Sequence, residues 1–204
     1  MSDRQQAIES AAAALTQASE AAARLLADRT ALEAIAASGE ALAHGLREGH
    51  SVFACGNGGS MCDAMHFAEE LSGRFRGDRR PLPVMAISDP GHLTCTANDF
   101  GYPEVFARFI EGHGKPGDLL VALSTSGKSP SIIRAIEVAR ARGLQVIALT
   151  GRPGSPAGAL AHHEIATPAG EYADRVQELH LKVIHVLVEL VERRLFPENY
   201  PRPD

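Results

Sequence analysis

The sequence predicts an α/β fold, a doubly wound parallel sheet of five strands flanked by helices, with a helical extension in front of it. Three observations predict it. Short apolar runs alternate with segments of helical spacing from residue 51 onward. The first, third and fourth runs end in Gly- or Ser-rich turns, the signature of strand-to-helix loops. Finally, 204 residues with 45% hydrophobic and 22% charged side chains can bury one substantial core. Strands that alternate with helices need right-handed crossovers, and these leave a parallel sheet covered on both faces.

Residues 7–26 and 31–46 are helical in character, with Ala, Leu and Glu dominating and apolar residues at mixed three and four spacing. Asp28-Arg29-Thr30 interrupts them. Thr30 is the expected N-cap of the second helix, with Glu33 in capping-box position. The high Ala content favours close packing against other helices, including those of another subunit. Residues 1–50 therefore form the extension, 51–196 the α/β domain, and 197–204 a Pro-rich tail expected on the surface.

Ser51-Val52-Phe53-Ala54-Cys55 is the first strand. It ends in Gly56-Asn57-Gly58-Gly59-Ser60, and residues 61–71 return to helical spacing. Residues 82–87 are the second strand, followed by a polar loop and a helix from about Pro103. Residues 118–123 lead into Ser124-Thr125-Ser126-Gly127-Lys128-Ser129 and a helix over 130–142. Pro130 suits the first turn of that helix, and Gly143 its stop. Residues 145–149 lead to Gly151-Arg152-Pro153-Gly154 and a shorter helix near 157–162. Residues 164–167 make the fifth strand. The last helix spans about 173–195, with Val176, Leu179, Val183, Leu187, Leu190, Val191 and Leu195 as its apolar stripe.

Composition excludes several functions. The net charge is −5, which argues against binding a nucleic-acid backbone by bulk charge. Trp is absent and aromatics are 5%, which argues against a function that needs a base-stacking platform. No apolar run reaches the ~18 to 20 residues that span a bilayer. The Ala-rich start is broken by Glu9, Glu20, Arg24, Asp28 and Arg29 and has no signal-peptide core. Cys55, Cys62 and Cys95 cannot all pair within one chain and form no CxxC, so they read as reduced thiols of a cytoplasmic protein.

Ligands of a doubly wound sheet bind beyond the carboxyl ends of the strands. Ser124, Thr125, Ser126 and Ser129 place four hydroxyls within six positions, ahead of a helix with free N–H groups and a positive dipole end. They form either an anion cradle or ordinary helix capping. Gly127-Lys128-Ser129 is not a nucleotide P-loop, because its leading glycine is Ala122. Gly56-Asn57-Gly58-Gly59 lacks the third glycine of a dinucleotide fingerprint, since position 61 is Met. It is either a tight turn or a loop that lets backbone approach a small ligand.

His66 and Glu70 stand four apart on one helix face, within reach of one metal ion or one substrate, or simply of each other. His185 lies inside the apolar run Val183-Ile184-His185-Val186-Leu187. It is either a core histidine bonded to a carbonyl or a ligand and catalytic group. Gln177 and His185 are eight apart, roughly 12 Å along the axis and about 80° around it. For both to meet one ion, the side chains must bend inward or one must come from a neighbouring subunit.

Taken together, five ordered blocks resemble the phosphoheptose isomerases of the SIS (sugar isomerase) family. They are Cys55-Gly56-Asn57-Gly58-Gly59-Ser60; Cys62-Asp63-Ala64-Met65-His66-Phe67-Ala68-Glu69-Glu70-Leu71; Asn98-Asp99-Phe100-Gly101; Ser124-Thr125-Ser126-Gly127; and Tyr172-Ala173-Asp174-Arg175-Val176-Gln177-Glu178-Leu179-His180 with Lys182-Val183-Ile184-His185. The resemblance covers nearly the whole chain apart from the tail. It implies a SIS-type five-stranded sheet and a homotetramer with active sites at subunit interfaces. The implied reaction converts sedoheptulose 7-phosphate to D-glycero-D-manno-heptose 7-phosphate, the first step toward ADP-heptose for lipopolysaccharide or another glycan.

Residue by residue, the resemblance makes Ser124, Thr125, Ser126 and Ser129 the phosphate loop. Asn57, Gly58, Gly59, Asn98 and Asp99 become substrate contacts, with Asp174 an active-site acid. His66, Glu70, Gln177 and His185 become the ligands of one zinc ion per subunit, and Glu70 and His185 the acid/base pair. Met61 and Lys128 depart from the family pattern, which is expected to have His and Asn there. The contrasting reading is a non-catalytic SIS scaffold or phosphosugar-binding protein that associates with a replication initiator. Such a scaffold has no need of the four polar residues together.

Overall fold

The computed structural model describes residues 2–170 and 172–200. Five strands form one wholly parallel sheet: β1 (Val52–Gly56), β2 (Val84–Ala86), β3 (Leu119–Ser124), β4 (Gln145–Thr150) and β5 (His163–Ala166), in the order β2-β1-β3-β4-β5. The register runs Val52 opposite Val84 and Leu119, Leu119 opposite Gln145, and Ile147 opposite His163. The helices are α1 (Asp3–Ala27), α2 (Arg29–Arg47), α3 (Gly59–Ser72), α4 (Pro90–Phe100), α5 (Ala107–His113), α6 (Pro130–Ala141), α7 (Pro156–Leu160) and α8 (Ala173–Leu195). None of them is long and apolar enough to cross a membrane.

Alternation along the strands divides the core in two, because successive side chains point to opposite faces. Val52, Ala54, Val121, Leu123, Ile147 and Leu149 pack beneath α2, α3 and α8. Phe53, Cys55, Leu120, Ala122 and Val146 pack on the other face beneath α5, α6 and α7. The result is a three-layer α/β/α domain, with α3 and α8 side by side on one face. The extension joins that face: α1 contributes Ala21 to a small apolar cluster with Val176 and Leu179 of α8. Most of α1 is exposed, including Leu15 and Leu26, each 73% accessible.

Three local expectations are corrected. The second helix is capped by Asp28, whose side chain accepts from the Ala31 N–H, and not by Thr30. Glu33 turns instead to Arg29, 2.8 Å away, so there is no capping box. The polar stretch after β2 is a helix, α4, with Asp89 as N-cap and Pro90 in its first turn. The tail, expected on the surface, folds back over residues 197–200, where Tyr200 is buried and its hydroxyl donates to Glu192 at 2.8 Å. Residues 201–204 lie outside the described residues.

Candidate active site

The strand order reverses between β1 and β3, so the loops leaving these two strands diverge to opposite faces and open a crevice between them. Both loops predicted to bind substrate start there. After β1, Gly58 takes φ +56, a conformation that glycine adopts freely, and Gly59 lets the chain pass the side chain of α8. A Cβ on Gly59 would stand 2.7 Å from the Gln177 amide. After β3, the backbone turns through Gly127, whose N–H bonds the Ser124 hydroxyl at 3.1 Å. Asn57 ties the two loops together, donating to Ser129 Oγ at 2.7 Å and Ser131 Oγ at 3.0 Å.

Asn57 and Ser60 from the first loop, Ser124, Thr125, Ser126 and Ser129 from the second, and Gln177 from α8 line a hollow of about 140 Å³. That is smaller than the ~300 Å³ lower end for sites enclosing a whole drug-sized ligand, and suits one terminal anionic group. Ser129 sits at the N-cap of α6, but its side chain caps no N–H there, so helix capping does not explain this hydroxyl. The other wall of Thr125 and Ser126 faces a second hollow of about 290 Å³ that carries Lys128 and Arg152. Lys128, the departure from the family pattern, thus adds positive charge beside the loop.

The second cluster lies between α3 and α8. His66 Nε2 is 2.8 Å from His185 Nε2 and 3.3 Å from Glu70 Oε1, while His185 Nε2 is 3.9 Å from the same oxygen. The three are partly buried, and their ligand atoms lie within 4.8 Å of one another. Glu69 Oε1 is 3.1 Å from His66 Nδ1, so a carboxylate stands against the ring nitrogen on the far side from His185. Burial, then the nearby His66, lowers the His185 pKa, and Glu70 opposes this only in part. The uncharged form of His185, the one that can serve as ligand or base, is thereby favoured. Two imidazoles and a carboxylate, with ligand atoms within 4.8 Å of one another, are a donor set of the kind that fits zinc.

The strap between α3 and β2, unread in the sequence, holds this cluster in place. Phe75 stacks on the His185 ring at 6.0 Å. Arg76 pairs with Glu189 on α8 at 2.8 Å. Arg79 is buried: it donates to Glu192 at 2.8 Å and to the carbonyls of Glu70, Leu71 and Gly73 at 2.7 to 2.9 Å. One guanidinium thereby closes the end of α3 and fastens it to α8. Asp63, one turn before His66, was also missed. Burial raises its pKa against the opposing pull of His66, and its Oδ2 has no hydrogen-bond partner among the described residues.

The remaining predicted residues stand elsewhere. Asn98 and Asp99 are exposed on α4, where the Asn98 amide donates to Asp99 at 2.7 Å. Asp174 is exposed in the first turn of α8 and pairs with Arg175 at 3.2 Å. Gln177 lines the hydroxyl-rich hollow beside Gly59, two turns before His185 on α8.

Comparisons with known proteins give the family and the fold. Residues 2–151 match the SIS domain family. A phosphoheptose isomerase of Tolumonas auensis is 51% identical over 181 residues, 89% of this chain and 94% of the relative. The solved phosphoheptose isomerase of Neisseria gonorrhoeae superposes with a TM-score of 0.80 at 31% identity, covering 94% of this chain and 99% of that one. That of Francisella tularensis superposes with a TM-score of 0.82 at 28% identity, covering 95% and 100%.

Proposed function

The chain belongs to the phosphoheptose isomerases of the SIS-domain family, and from that premise we propose that it converts sedoheptulose 7-phosphate to D-glycero-D-manno-heptose 7-phosphate. The observation that carries the chemistry is the meeting of His66, Glu70 and His185 beside a separate hydroxyl-lined anion hollow. A binding scaffold needs the hollow alone. An isomerase also needs an acid/base pair at the other end of the sugar.

The reaction moves a carbonyl from C2 to C1. The Ser124–Ser129 loop grips the phosphate with hydroxyls and with the first N–H groups of α6. The sugar runs from there along α8 toward His185. Glu70 takes a proton from C1, giving an enediol, and returns it to C2. His185 moves the proton between the two oxygens, donating at one and accepting at the other. No net charge or proton is gained. Zinc, which His66, Glu70 and His185 would hold, would supply Lewis-acid stabilisation of the developing oxyanion and would lower the proton affinity of Glu70, so it would aid the proton steps and not replace them.

Gln177 is the fourth zinc ligand expected from the family. Its place beside Gly59 supports the reading that it serves a neighbouring copy's cluster, in a homotetramer whose sites are completed between subunits. The exposed apolar residues of α1 support such packing. The product would feed ADP-heptose synthesis in the cytoplasm.

Running the reaction in D₂O tests the enediol step. The product should carry deuterium at C2, because Glu70 exchanges its proton with solvent during the intermediate's lifetime. A product wholly without solvent deuterium under slow turnover would point to direct hydride transfer and remove Glu70 from the role of base.

A further inference from the structure

Tyr102 opens the 3₁₀ turn that follows α4 (Tyr102–Glu104), and its ring is 53% exposed. Its hydroxyl nevertheless reaches across to Asn57, donating to Oδ1 at 2.8 Å. The other end of that amide donates to Ser129 Oγ at 2.7 Å and to Ser131 Oγ at 3.0 Å. Asn57 is therefore held at both ends, by a phenol on one side and two serine hydroxyls on the other.

We infer that Tyr102 is a positioning residue that sets the direction of the hydroxyl protons in the anion hollow. The argument is a proton count. A side-chain amide accepts only at its oxygen and donates only at its nitrogen. A phenol, with a pKa near 10, is a stronger hydrogen-bond donor than an aliphatic hydroxyl. With Tyr102 donating to Oδ1, the amide nitrogen must face the serines. Ser129 and Ser131 then each accept from Asn57, and each keeps its own proton for another partner. Their oxygens are 3.3 Å apart, and Ser131 is buried while Ser129 lines the hollow. The buried hydroxyl donates to Ser129, and Ser129 donates into the hollow. A phosphate dianion has only lone pairs to offer, so it needs this polarity. Were the amide reversed, Oδ1 would draw both serine protons toward itself, and the hollow would meet the phosphate oxygens with lone pairs.

This inference rests on the reading that the hollow takes the substrate's phosphate, so the test separates the two. Binding of inorganic phosphate is measured by calorimetry, alongside KM and kcat, for the native protein and for Tyr102→Phe. The ring stays and only one hydroxyl is lost, so folding is unaffected. Phosphate Kd and KM should rise together by roughly three- to tenfold, the net worth of one hydrogen bond, with kcat held within about twofold. In an Asn57→Ala background, Tyr102→Phe should add nothing, because the amide through which it acts is gone. An unchanged phosphate Kd in Tyr102→Phe overturns the inference, as does a further loss in the Asn57→Ala background. A rise in KM without a rise in phosphate Kd also overturns it, by placing Tyr102 against the sugar. If the native protein itself binds no phosphate, the reading of the hollow falls and takes this inference with it, a failure visible without any variant.

Discussion

Glu70 stands 3.3 Å from His66 and 3.9 Å from His185, so the reactive end of one bound sugar can meet both the carboxylate and an imidazole. Replacing it with Gln keeps the shape and removes the base. Turnover should fall by about 10²- to 10⁴-fold with an unchanged circular-dichroism spectrum. Its partners His66 and His185 were legible as candidates from the sequence, through four-residue spacing and a histidine in an apolar run. Their meeting was implied by the family resemblance alone and not by spacing, because 119 positions separate them and only the packing of α3 on α8 joins them. His180 shows a different residue-scale effect. It is fully buried, neither ring nitrogen has a hydrogen-bond partner among the described residues, and burial pushes its pKa down to about 4, with the Thr150 backbone opposing in part. The unfolded chain takes up this proton near pH 6.5, well above the folded protein. This histidine's contribution is therefore fully present above about pH 6.5 and is lost as pH falls toward 4, by up to about 3 kcal/mol. Urea midpoints between pH 7 and 4 should drop less in His180→Phe than in the native protein.

At the scale of elements, the strap between α3 and β2 does what no local pattern announced. The Arg79 side chain is 1% exposed and that of its partner Glu192 is fully buried. Burial of this kind depends on three distant pieces arriving together: the end of α3, the end of α8, and Tyr200. Sequence spacing carries no trace of that. Arg79→Met should cost about 3–5 kcal/mol, because Glu192 would remain buried without its cation. Arg79→Met with Glu192→Gln should recover part of the loss, which denaturant titration can resolve. The helix α4 was also missed, although Asp89-Pro90 is a sound start signal. The polar stretch around it masked the pattern, since α4 buries only Thr96. By contrast, α2, α6 and α8 were legible because each buries one face against a neighbour over several turns, and α1 because its residues are strong helix formers over a long stretch.

For the whole molecule, the alternation of strand and helix was enough to predict the parallel sheet, and the crevice between β1 and β3 follows from its strand order. Oligomeric state is a property no single chain can display. The family resemblance implies a tetramer, about four times the chain mass by light scattering, and if the exposed face of α1 packs in it, Leu15→Glu should shift it toward smaller species. Elemental analysis of untreated protein should find about one zinc per chain, and His66→Ala should lose it. Undiminished turnover in metal-free protein would leave the four proposed ligands as polar contacts only. The most direct test of the central claim is incubation with sedoheptulose 7-phosphate, following the appearance of an aldoheptose 7-phosphate by NMR. The native protein should form the aldose at catalytic rates and Glu70→Gln should form almost none. No aldose from folded native protein supplied with zinc, or equal rates from both proteins, would contradict the account.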